Sequence, residues 1–277
     1  MSRRFALVLV LASCNRIYGL DDTQLRDAPG PDAAPSCDRD PLVFRPQVQQ
    51  AVFQPCTHYS TSDATGRALA LCPSQGAFVV AEGPIDDALV EVAVERKPDH
   101  AMLSVALAPE GDRAIVQHAT LTGVPVFSVH VREAAGWKWS YDLPAADYDD
   151  SVGTPSSRPR ARLMHARPNA GVVDELVEDT PDTWRVLRSY TAQELGTFHL
   201  YSVFNLTADG RHVVFSGAEG PQNTNVYHAV RTGIDERFGR GVPVAGIPRT
   251  VVDAFMTDDC GRVYFSGLSS IFYARQQ

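Results

Sequence analysis

Three stretches of the chain repeat one order of apolar and polar positions: Leu107–Val116 (LAPEGDRAIV), Leu206–Gly217 (LTADGRHVVFSG) and Met256–Gly267 (MTDDCGRVYFSG). Each runs from an apolar residue through Thr or Pro, an acid and Gly, to a basic residue and then to alternating β-formers. Gly supplies the positive φ of a tight turn, and Asp or Thr bonds the neighbouring backbone. Each stretch therefore predicts a β-hairpin. Weaker copies stand at Ser62–Leu71 and, much eroded, at Thr154–Met164. A third apolar segment follows each clear hairpin, at Pro125–Val131, Asn225–Val230 and Ser270–Ala274. A fourth follows in the middle repeats, at Trp137–Leu143 and Trp184–Tyr190. First strands fall near residues 51, 102, 148, 198 and 250. Four strands recurring at that interval predict an all-β propeller, with four-stranded sheets around a central channel.

The spacing favours five four-stranded blades; six would need shorter ones. The last repeat ends at its third strand, close to Gln277, and Pro41–Pro46 (PLVFRP) belongs to no blade. This N-terminal strand is expected to pair with the last blade and close the ring, removing two open sheet edges. The Thr/Pro-x-Asp-Gly-Arg-x-hydrophobic pattern resembles the WD40-like repeat of the periplasmic TolB family, over residues 41–277. Related propeller lipoproteins occur in myxobacteria. The resemblance implies a propeller making protein–protein contacts in the cell envelope.

The first residues, Met-Ser-Arg-Arg, precede an apolar run from Phe5 to Ala12, then Ser13 and Cys14. A charged start, a short apolar stretch and a small residue make a secretory signal, too short to span a bilayer. The end of the run, Leu11-Ala12-Ser13-Cys14, resembles the lipobox of bacterial lipoproteins, whose cysteine becomes the lipidated first residue of the mature chain. That resemblance implies lipid on Cys14, a membrane anchor through it and, with Asn15 beside it, the outer membrane as destination. Residues 14–40 are rich in Asp, Ala and Pro without an apolar period, the composition of an extended tether. The domains are thus a signal peptide (1–13), a tether (14–40) and a propeller (41–277). The chain has 277 residues and is 44% hydrophobic, enough for a core, and 33 acids against 25 Lys and Arg give a net charge of −8. It offers no broad basic face, so no nucleic-acid partner is expected.

Besides Cys14 there are four cysteines, an even number in an exported chain, and they permit three pairings. Cys56 and Cys72 flank the first hairpin's turn symmetrically. Cys260 sits in the last blade's first turn, at the end where Cys37 would lead into the closing strand. The register favours Cys56–Cys72 and Cys37–Cys260.

The chain contains no Gly-x-Ser-x-Gly elbow, His-Glu-x-x-His pair, phosphate loop or Gly-x-Gly-x-x-Gly run. No catalytic residue, metal ligand or cofactor is assigned. Register instead brings His100, Asp149, His199 and Asp253 to the starts of first strands, at one mouth of the channel. Two imidazoles and two carboxylates there can hold a ligand or a cation, or simply be solvated residues of the crossovers. Trp137 and Trp139 are expected to pack between blades. The leading expectation is a lipid-anchored envelope protein whose propeller binds a protein or small ligand without catalysis. The alternative is an extracytoplasmic hydrolase or lyase acting on glycans, which requires two carboxyl groups about 5–10 Å apart in one mouth.

Overall fold

The computed structural model describes residues 35–39, 41–45, 49–52, 56–74, 77–95, 100–120, 125–143, 153–167, 171–180, 183–218, 224–248, 251, 253–266 and 270–277. The described strands form five antiparallel sheets arranged as the blades of a propeller, and no helix occurs among the described residues. Strand β1 (Gln49–Val52) comes first. Blade 1 is β2 (Thr57–Ser62), β3 (Arg67–Ser74), β4 (Ala77–Pro84) and β5 (Val90–Glu91). Blade 2 is β6 (His100–Leu107), β7 (Arg113–Thr120), β8 (Pro125–Glu133) and β9 (Gly136–Asp142). Blade 3 shows β10 (Arg162–Arg167), β11 (Val172–Thr180) and β12 (Thr183–Thr191). Blade 4 is β13 (His199–Leu206), β14 (His212–Ala218), β15 (Thr224–Val230) and β16 (Val242–Pro243), and blade 5 is β17 (Ala254–Met256), β18 (Arg262–Ser266) and β19 (Ile271–Arg275). Within each blade the described strands form a meander in which sequence neighbours pair, and β1 adds to the blade 5 sheet beside β19.

The ring closes as expected, through an N-terminal strand on the last blade, but with different residues. The ladder is made by β1, with Gln49 opposite Tyr273 and Val52 opposite Ile271. The Pro41–Pro46 segment adds only single bridges, Phe44 to Gln276 and Val43 to Ala245 of blade 4. Leu42 and Phe44 are buried in the core between blades 4 and 5, so this segment is an apolar plug before it is a strand. Blade 1 accordingly begins at Thr57 and not near 51, and blade 5 at Ala254.

The eroded third repeat proves to be a true one. Ser156 N–H donates to Arg162 O at 2.8 Å, the bond that Ala108 makes to Arg113 (2.9 Å), Thr207 to His212 (3.0 Å) and Thr257 to Arg262 (3.0 Å). Strand β10 is therefore the second strand of its blade. The position of the first falls mainly on residues 144–152, outside the described residues.

All five turns also contain one left-handed residue, Gly66, Gly111, Arg160, Gly210 and Cys260, with φ from 57° to 74°. In blade 5 that residue is Cys260 rather than the Gly261 of the sequence motif. Both disulfides form: Cys56–Cys72, just beyond the Thr57–Leu71 pair, and Cys37–Cys260, across 223 residues.

The core lies between the blades. Five buried clusters each join two adjacent sheets, including one that packs Tyr59, Ala70 and Leu89 of blade 1 on Phe255, Tyr264 and Ile271 of blade 5. A blade buries its two faces only against its neighbours, so an unclosed ring would leave two of them in water.

Candidate functional site

The inner strands wall a central cavity of about 10 Å³, lined by His58, Val105, Val203, Asn205, Asp253 and Phe255 among others. That is the room of about one water molecule. Polar side chains lace the wall across the blades. Asn205 accepts from Thr154 N at 2.8 Å and Thr154 Oγ1 at 2.9 Å, and donates to Ala254 O. Ser60 Oγ accepts from Leu107 N at 2.8 Å. His58 and Asp253 are the imidazole and the carboxylate of this lining, Nδ1 to Oδ1 4.0 Å apart.

Of the four residues marked by register, Asp253 lines the cavity. His100 starts β6 half-buried, its ring edge-on to His118 at 6.3 Å. The backbone of His199 starts β13 opposite Ala218. Asp149, like Cys14, lies outside the described residues. His58 is unmarked by the sequence pattern, yet it is the blade 1 counterpart of Asp253. Each lies four residues before its turn begins, at Ser62 and Thr257.

At the other mouth the turns are bonded to one another around the ring. Ser62 Oγ donates to Pro109 O, Arg158 N to Glu110 Oε1 (2.6 Å), Ser157 N to Ala208 O (2.8 Å) and Ala208 N to Asp258 Oδ1 (2.6 Å). Burial pushes the Asp258 carboxyl up to about 6, the Ala208 N–H pulls it back, and the charges of Asp63, Asp209 and Asp259 add to the rise.

In blades 2, 3 and 5 the first residue of the second strand, an arginine, pins a seam. Arg113 donates to Glu178 of blade 3 at 3.1 Å, Arg162 to Asp235 of blade 4, and Arg262 to Asp86 of blade 1. Arg67 donates to Glu82 in its own blade, and Glu82 also accepts from Arg132 and Trp137 of blade 2. Aromatic hydroxyls complete three of these clusters: Tyr141 on Glu178, Tyr190 on Glu175 and Tyr264 on Asp86.

Blade 4 has His212 at this position. Its ring stacks on His228, Nδ1 to Nε2 3.1 Å, and lies beside the Cys37 and Cys260 sulfurs, both of which are used in the disulfide. The two tryptophans divide: Trp137 is buried in the seam, whereas Trp139 is 38% exposed and donates to Asp142. Exposed apolar side chains include Phe198, 75% exposed just before β13, and Leu103 near the start of β6.

No protein-family model and no curated protein matches the sequence. Among solved structures the chain is similar to a functionally unknown protein from Desulfotomaculum acetoxidans, at 14% identity over 76% of this chain and 62% of that one, TM-score 0.48. It is similar to a gluconolactonase from Xanthomonas campestris at 10% identity, over 92% and 100% of the two chains, TM-score 0.47. A fructofuranosidase from Schwanniomyces occidentalis aligns at 8% identity over 90% and 60%, TM-score 0.49. The chain thus spans less than two thirds of the first and third of these proteins. At such identities the likeness concerns the fold and carries no argument about chemistry.

Proposed function

We propose that this chain is a lipid-anchored envelope protein whose propeller binds a protein or small ligand at a mouth, without catalysis. The observation that carries this reading is that the central cavity, as lined by the described residues, has room for about 10 Å³, against roughly 300–1,000 Å³ for small-molecule sites. Recognition then belongs to the outer surface of the ring. The Cys37–Cys260 bridge holds the start of the described chain beside the turns of blade 5. A tether running back to Cys14 therefore leaves from the turn face, and the opposite mouth, with Phe198 and Asp253, stays clear of the anchor.

Three measurements test the reading. Palmitate labelling of the full chain in cells is expected to disappear with Cys14→Ala. A photoreactive residue introduced at Phe198 is expected to crosslink one partner, and the same residue at Val186, on the rim, none. Turnover of a glycan by the purified chain, abolished by Asp253→Asn, would replace binding by the hydrolytic alternative.

A further inference from the structure

The seam between blades 3 and 4 buries more positive than negative charge. Glu175, fully buried, is shared by three guanidinium groups: Arg231 Nη1 at 2.7 Å, Arg188 Nε at 3.2 Å and Arg162 Nε at 4.0 Å. It also accepts from the Tyr190 hydroxyl at 3.1 Å. A second acid, Asp235, takes Arg162 Nη2 but keeps 69% of its side chain in solvent. Three cations thus face two anions, one of them largely hydrated, and Arg162 and Arg231 are 1% and 0% exposed.

The hydrogen bonds show the same deficit. Arg231 donates through Nε to Gly210 O at 2.7 Å and through Nη1 to Glu175 and to Glu236 O, which leaves Nη2 buried without an acceptor. Arg162 Nε and Nη1 are in the same state. Burial lowers the Arg162 guanidinium from its ordinary range, Glu175 and Asp235 pull it back, and Arg231 lowers it further. Unmatched buried charge and orphaned donors are both costly. Other seams spread their surplus into water: beside Glu178 the second arginine, Arg158, is 42% exposed, and beside Glu82 Arg67 and Arg132 are 47% and 25% exposed.

We propose that this seam binds one small inorganic anion of the halide class, such as chloride, between Arg162 and Arg231. One negative charge matches the deficit of one. A halide accepts from several N–H groups at once and brings no donor of its own. A water molecule would satisfy the donors and leave the charge uncompensated.

Crystals of the full chain soaked in sodium bromide are expected to show anomalous density within hydrogen-bond reach of Arg162 Nη1 and Arg231 Nη2. In solution at fixed ionic strength, exchanging gluconate for chloride is expected to raise the folded-to-unfolded ratio, about tenfold for each tenfold of halide above its dissociation constant. Arg162→Gln removes the surplus charge and is expected to abolish that dependence. Should this variant not fold, chloride NMR line broadening by the wild-type chain, removed by competing bromide, carries the same test. A water without anomalous signal at that place, or equal stability in gluconate and chloride, overturns the proposal. Halide dependence that survives in a folded Arg162→Gln chain overturns it too.

Discussion

Removing the Cys37–Cys260 bridge is expected to cost the ring more than removing Cys56–Cys72, because the two close loops of very different length. In the chain-entropy description the stabilisation grows with the logarithm of the loop. Separations of 223 and 16 residues then correspond to about 5 and about 3 kcal/mol. In a domain of this size about 1 kcal/mol moves the midpoint by about 2–4 °C. Cys37→Ser/Cys260→Ser should therefore melt about 10–20 °C lower than the wild type, and Cys56→Ser/Cys72→Ser about 6–12 °C lower. A second contribution identifies the turn. Cys260 is left-handed, at φ 57°, a conformation costing a non-glycine residue about 1–2 kcal/mol. With the bridge absent, Cys37→Ser/Cys260→Gly should be more stable than Cys37→Ser/Cys260→Ser by about 1 kcal/mol. The assay is thermal and urea unfolding of the full chain without reductant, followed by tryptophan fluorescence. Equal losses for the two bridge deletions, or a smaller loss for the long-range one, would refute the view that this bridge holds the closure.

The inner ring offers another test: Asn205→Ala strips the partners from buried Thr154 N–H and from Ala254 O. At about 1–3 kcal/mol for each orphaned group the urea midpoint should fall clearly, and an unchanged midpoint would mean that water replaces the side chain at no cost. Burial, and behind it His212, pushes His228 down to about 4, and burial lowers His212 as well. Their contribution is present in full above the unfolded value near 6.5 and is lost as pH falls through about 4, roughly 3 kcal/mol for His228; His228→Gln should flatten this acid limb of the melting profile. Asp258, pushed up to about 6, acts in the opposite sense, its contribution complete below 3.8 and lost as pH rises through 6. Asp258→Asn should raise the midpoint at pH 7 and steepen the acid-side loss, and a parallel profile would count against a perturbed carboxyl there.

The hairpins were legible because their chemistry is local. In Thr207-Ala208-Asp209-Gly210 the threonine hydroxyl donates to the aspartate, and the glycine takes the left-handed place. Blade 3 was faint because Arg160 fills that place and no Asp-Gly precedes it. The cysteine pairing was legible from the symmetry of Cys56 and Cys72 about one turn and from the blade position of Cys260. The closing strand was misplaced because alternation in PLVFRP reads equally well as a strand edge or as a plug. Only the tertiary packing, which buries Leu42 and Phe44 between blades 4 and 5, decides between them. His58 escaped notice for a related reason: with blade 1 begun near 51, its inner strand was out of register with the others. The basic residue of the repeat was visible, but its partners were not. Arg113, Arg162 and Arg262 reach acids 65, 73 and 176 residues away, and no local pattern connects positions so far apart.

Those long-range pairs show how the repeat holds neighbouring blades together in this ring. In three blades the residue that opens the second strand reaches across to the next sheet, so the repeat encodes blade-to-blade contact as well as its own turn. Blade 4 departs from the rule where the ring is sewn shut. There Leu42 and Phe44 fill the seam, Cys37 meets Cys260, and a neutral, stacked His212 stands in place of arginine. An arginine at that position would need a carboxylate that the apolar plug and the disulfide displace, whereas a neutral imidazole can be buried at less cost. The seam between blades 4 and 5, into which the N-terminal segment packs, is thus held by a covalent bond and apolar packing in place of an ion pair. With the seams and the described channel lining packed to hold the ring together, the proposed recognition falls to the open mouth, where Phe198 stands 75% exposed.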